Sequence, residues 1–153
     1  MELHFQRIDD ATHTLRVVGP GARDERVECE TRSFLLHDFV HYAVESAGRR
    51  GDGFYGRLAA GAPLAVLNDR ETVFEGMATI ENVVAQVQGT LKTTADAETI
   101  FARLAAGAAA QDAELSAWVT PTMLREALEI LRGLRGRWRA TPFREAMILQ
   151  WPG

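Results

Sequence analysis

Two histidines and two carboxylates fall close together in this chain, at His37, Asp38, His41 and Glu45 of the run SFLLHDFVHYAVESA from Ser33 to Ala47. Imidazoles four positions apart on a helix stand on one face, one turn apart, and can share one zinc-like divalent ion. Asp38 and Glu45 are the carboxylates placed to act as a base, and Glu45 is also a candidate ligand. At about 1.5 Å rise per residue, His37 and Glu45 lie about 12 Å apart along the axis. The helical pairs able to share an ion are therefore His37/His41 or His41/Glu45. A third ligand has to come from elsewhere, with His4, His13, Asp69, Glu71 and Glu75 as the candidates. No Lys or Arg lies between Ser33 and Gly48, whereas a merely solvated helix face usually carries some. The plainer alternative is that His37 and His41 are hydrogen-bonded to Asp38 and Glu45 and only stabilise the helix.

The element that must position these groups is a helix over 33–47. Leu35, Leu36, Phe39, Val40, Ala43, Val44 and Ala47 fall on one arc at about 100° per residue, the core-facing side of an amphipathic helix. Ser33, or Thr31, is the expected N-cap, and Gly48 is expected to end the helix in the left-handed conformation. Before it, residues 2–8, 13–18 and about 25–31 alternate apolar and polar, with turn signals at Asp9-Asp10 and Gly19-Pro20-Gly21, which predicts an antiparallel meander. After it, the spacing predicts a short helix carrying Phe54, Tyr55 and Leu58, capped by Asp52 and ended by Gly61. A helical turn within 63–70 follows, then a helix from Thr79 to about Lys92. A further helix carries Ile100, Phe101 and Leu104, with Thr93 and Thr94 as caps. Thr120-Pro121 starts another, on which Arg125 and Glu129 are spaced to pair. Residues 143–151 fit either a helix or a strand, and we favour a strand returning to the meander. The expected class is α+β in one domain over 1–153, a small antiparallel sheet packed against several helices.

Gly51-Asp52-Gly53-Phe54-Tyr55-Gly56 is formally G-x-G-x-x-G. A dinucleotide fingerprint needs a strand before it and a helix opening from it. Here a helix precedes it, so the glycines are read as a turn and a close helix contact. The single cysteine, Cys29, sits on one face of the third strand and is read as a buried structural thiol. Arg132, Arg135, Arg137, Arg139 and Arg144, grouped around Trp138, complement a helix C-terminus, with an anion or nucleic-acid patch as the alternative.

Of the chain's 153 residues, 46% are hydrophobic and the formal net charge is −4; mean hydropathy is −0.13. These values describe a globular chain with enough length for a core. The acidic balance gives no general attraction for nucleic acid or anionic lipid. With no signal-peptide pattern near Met1 and no apolar run of membrane length, the expectation is a cytoplasmic protein. Only Lys92 among the seventeen Lys and Arg residues is lysine, a bias expected of a GC-rich bacterial genome.

The pattern His37-Asp38-Phe39-Val40-His41 resembles the H-E-x-x-H helix of the zincin metallopeptidases. That resemblance implies His37 and His41 as zinc ligands, with Asp38 standing where the family has its Glu base. Asp is one methylene shorter and holds its carboxylate farther from a metal-bound water. Over about thirty residues, SFLLHDFVHYAVE followed by GFYGRLAAG resembles a group of small bacterial proteins to which no activity is attached. Two functional expectations stand side by side. One is a divalent-metal site on helix 33–47, with a metal-dependent hydrolase as its finer form. The other is a non-catalytic interaction module, homo-oligomeric, in which Phe34, Tyr42, Phe54 and Tyr55 form a packed or partner-binding surface.

Overall fold

The computed structural model describes residues 1–19, 23–67, 76–93 and 95–152. Strands β1 (Glu2–Arg7), β2 (Thr12–Gly19), β3 (Arg23–Glu30) and β4 (Ala146–Gln150) form one antiparallel sheet in the order β3-β2-β1-β4. The alternation read from the sequence sets the register, since a pleated strand turns successive side chains to opposite faces. Leu3 pairs with Val17 on one side and Leu149 on the other; Phe5 pairs with Leu15 and Met147. All six are buried. The Asp9 carboxylate closes the β1–β2 turn by accepting from the backbone N–H groups of Ala11 and Thr12.

The C-terminal segment is the returning strand. Its helical spacing yields to pleat spacing because Met147 and Leu149 match the buried side of β1, and Trp151 donates its backbone N–H to the Met1 carbonyl at 2.9 Å. The class is thus α+β, as expected.

Helix α1 (Leu36–Ala47) is entered through a π-helical turn at Thr31–Leu35. The expected Ser33 cap is not there. The helical path already begins at Thr31, and the Ser33 hydroxyl donates to Glu30 at 2.7 Å. Gly48 is likewise right-handed, at φ −79°. It is glycine for space, because a Cβ there would stand 2.9 Å from Trp118. The left-handed residue is Arg49, at φ 50°.

Phe39, Val40, Ala43 and Val44 put the apolar arc of α1 into the core, and the Phe39 ring meets Phe5 of the sheet edge-on at 5.3 Å. Helices α2 (Phe54–Ala59), α3 (Leu64–Leu67), α4 (Met77–Gly89), α5 (Ala97–Ala109) and α6 (Pro121–Ala140) complete the helical layer, with α4 and α6 packed along α1. Gly61, at φ 101°, follows the end of α2 as expected. The cap of α5 is Asp96, whose carboxylate accepts from Thr99 N–H at 2.9 Å; Thr93 does not cap it, and Thr94 lies outside the described residues. Residues 68–70 of the turn expected within 63–70 also lie outside them. Thr120 caps α6 by accepting from Met123 N–H at 3.1 Å. Arg125 faces Glu98 of α5 at 3.3 Å rather than Glu129.

Candidate functional site

Glu45 is fully buried, and α2 explains how a carboxylate can be. A helix start leaves backbone N–H groups without partners, and a carboxylate satisfies both them and the positive end of the dipole. Oε1 of Glu45 accepts from Phe54 N–H at 3.0 Å, and Oε2 accepts from Tyr55 N–H at 2.8 Å and Gly56 N–H at 3.2 Å. Gly53 makes room, since a Cβ there would overlap the Glu45 carboxyl group. A Cβ on Gly56 would overlap the backbone of Arg50 and Gly51. The expected Asp52 cap is displaced by this arrangement, and Asp52 pairs instead with Arg50.

One turn back, His41 is 5% exposed and lies between two carboxylates. Its Nδ1 is 3.0 Å from Glu45 Oε1, and its Nε2 is 3.2 Å from Glu81 Oε1 on α4. Burial works against the charged imidazole, but the hydrogen bonds to Glu45 and Glu81 outweigh it and raise the His41 pKa to about 9. The same hydrogen bond to His41 holds Glu81 below its ordinary value. His37 stacks edge-on with His41, ring centres 4.6 Å apart, and its Nδ1 is 3.2 Å from the Gln88 side-chain oxygen. One donor atom from each of His37, His41 and Glu81 lies within 4.8 Å of the others. Partly exposed His37 and Glu81 leave this cluster a route to solvent.

The structure therefore brings His37 and His41 together and puts Glu45 behind His41, both oxygens engaged. Asp38 goes elsewhere. Successive helix positions diverge by about 100°, and Asp38 points to the sheet side, where its Oδ2 is 3.8 Å from Nε2 of His13 and where Cys29 also lies.

Glu81 is the residue that sequence reasoning missed. It is the one acidic side chain of α4, and Gln88 follows at two-turn spacing on the same face, so His37 meets Gln88 while His41 meets Glu81. Of the third-ligand candidates, His4 is bonded to Glu2 at 3.0 Å and belongs to the other face of the sheet, and His13 is with Asp38 and Cys29. Asp69, Glu71 and Glu75 lie outside the described residues.

A cleft of about 780 Å³ lies between α1, α6 and β4 and contains none of these histidines. Two of its cations are engaged: Arg50 with Asp52, and Arg137 with the Ile148 carbonyl at 2.7 Å. The convergent donors of the histidine cluster are the stronger indication of chemistry. No family model, curated protein or solved structure matches the chain.

Proposed function

We propose that this chain is a divalent-metal-binding domain in which His37, His41 and Glu81 hold the ion and Glu45 fixes His41 from behind. The observation that carries the reading is the arrangement around His41. With Nδ1–H given to buried Glu45, Nε2 becomes the ion's donor once its own proton is displaced, and it already faces Glu81 and lies beside His37. A metal-bound histidine commonly gives its other ring N–H to a carboxylate in this way. Two imidazoles and a carboxylate suit zinc, manganese, iron or nickel. Three protein donors leave a position on the ion for water, which is what the finer, hydrolytic reading requires. Asp38, turned toward His13, does not supply the base of that reading.

A second reading rests on the same distances. Without an ion, His41 is an imidazolium between Glu45 and Glu81 and braces α1 to α4 as a buried ion network. Elemental analysis and calorimetric titration of tag-free protein separate the two. Near-stoichiometric metal that disappears in folded His41→Ala and weakens at least tenfold in Glu81→Gln is expected for the metal site. Absence of metal in wild type after incubation with zinc or manganese would leave only the brace.

A further inference from the structure

On the sheet side of α1, a second group of donors converges. His13 of β2 and Cys29 of β3 are directly opposite each other in the sheet register, and Asp38 comes down on them from the helix. One donor atom from each lies within 4.8 Å of the other two. His13 is fully buried, its ring held against Phe5 at 6.4 Å and edge-on to Trp138 at 6.1 Å. Its Nδ1 is 3.2 Å from the Thr31 hydroxyl, whereas Nε2 has no hydrogen-bond partner. A buried polar nitrogen left unpaired costs roughly 1–3 kcal/mol, so such an atom calls for an explanation. Here it faces Asp38 at 3.8 Å.

We infer that His13, Cys29 and Asp38 form a second cation site, separate from the His37/His41/Glu81 cluster, that takes a thiophilic divalent ion of the zinc or cobalt class. An Nδ1–H donated to the Thr31 hydroxyl leaves the Nε2 lone pair for the ion, as in zinc-bound histidines whose other ring N–H is held by a neighbouring oxygen. A tetrahedral ion with bonds of about 2.0–2.3 Å sets its donors roughly 3.5 Å apart, and the 3.8 Å between His13 Nε2 and Asp38 Oδ2 is already close to that. Three elements anchor them, and Cys29 and Asp38 are partly exposed, so an ion can enter from solvent. Burial, with Asp38 and Glu28 nearby, pushes the Cys29 thiol up to about 11. The thiol thus enters the site protonated, and ion binding releases its proton to solvent as the S–metal bond forms. The same geometry disfavours a nucleophilic triad. Thr31 occupies one ring nitrogen and Asp38 faces the other, so the imidazole does not link a thiol to a carboxylate.

Cobalt(II) titration of the reduced, metal-stripped, tag-free full chain tests this site apart from the first, because only this one contains sulfur. A near-ultraviolet sulfur-to-cobalt charge-transfer band is expected in wild type and in His37→Gln/His41→Gln. It should vanish in Cys29→Ser, and half-saturation should shift at least tenfold in His13→Gln and Asp38→Asn. Zinc should also slow alkylation of Cys29 in unmodified wild type, a readout that needs no folded variant. Absence of both the band and the protection overturns the assignment, as does a band whose midpoint is unchanged in His13→Gln. Loss of cobalt from the histidine cluster alone, with the sulfur band retained, would sink the proposed function and leave this site standing.

Discussion

The imidazole of His41 and the carboxylate of Glu45, one turn apart on α1 and both buried, are 3.0 Å apart, and that carboxylate is also the N-terminal cap of α2. One side chain therefore links the candidate site to the packing of another helix. Loss of Glu45 should be felt in stability before it is felt in chemistry. Glu45→Ala leaves buried N–H groups of α2 and the Nδ1 of buried His41 unpaired, and a cost of about 3–5 kcal/mol is expected. Glu45→Gln keeps one acceptor and should cost less. Urea unfolding of both variants checks the order.

The glycines of the 51–56 loop should separate cleanly. Nothing lies within 4 Å of a Cβ on Gly51, so Gly51→Ala should stay within about 0.5 kcal/mol of wild type. Gly53→Ala and Gly56→Ala force overlap with the Glu45 carboxyl group and with backbone, and about 1–3 kcal/mol of destabilisation is expected for each. A phosphate-binding loop would instead show lost nucleotide affinity, and equilibrium dialysis with a dinucleotide should show no binding to wild type.

In metal-free protein the His41–Glu81 contact should give a stability maximum on the acid side of neutrality. His41 is raised from 6.5 to about 9, so its contribution is complete below 6.5 and is lost as pH rises through 9. Glu81 is lowered from 4.5, so its contribution is complete above 4.5 and is lost as pH falls through its folded value. The two overlap fully between pH 4.5 and 6.5. Thermal melts across pH 4–10 of wild type and Glu81→Gln should differ most in that window and converge toward pH 10. A difference that grows with pH would refute the contact.

Two helix caps, Asp96 on α5 and Thr120 on α6, offer a control remote from either cluster. Thr120→Ala and Asp96→Ala should each cost about 1 kcal/mol and leave metal content unchanged. Chemical denaturation with parallel elemental analysis reads both quantities.

Much of this was legible in the sequence because it depends on local period. Leu3 and Phe5 alternate, Val40 and Val44 recur by helical turn, and Thr120-Pro121 announces a helix start; each became what its spacing implied. The stacking of His37 on His41 follows from the same four-residue spacing. What failed was settled between elements. Ser33 and Thr93 have the chemistry of caps, but the chain path and Asp96 removed the need for them. Glu81 reaches His41 only because α4 lies along α1, and Cys29 meets His13 through strand register across sixteen positions of sequence. The glycines of 51–56, read as a turn and a close helix contact, do pack closely, and what the helix start there holds is the chain's own Glu45 carboxylate.

The strand order β3-β2-β1-β4 bears on how the chain is made. β1 leaves the ribosome well before its partner β4, which is formed by residues 146–150. Until they arrive, one edge of β1 offers open backbone donors and acceptors, with Leu3 and Phe5 short of the apolar neighbours Leu149 and Met147. An unpaired edge of that kind invites pairing with another nascent chain. β4, made well after β1, thus closes that edge of the sheet and ends the period in which it can pair wrongly.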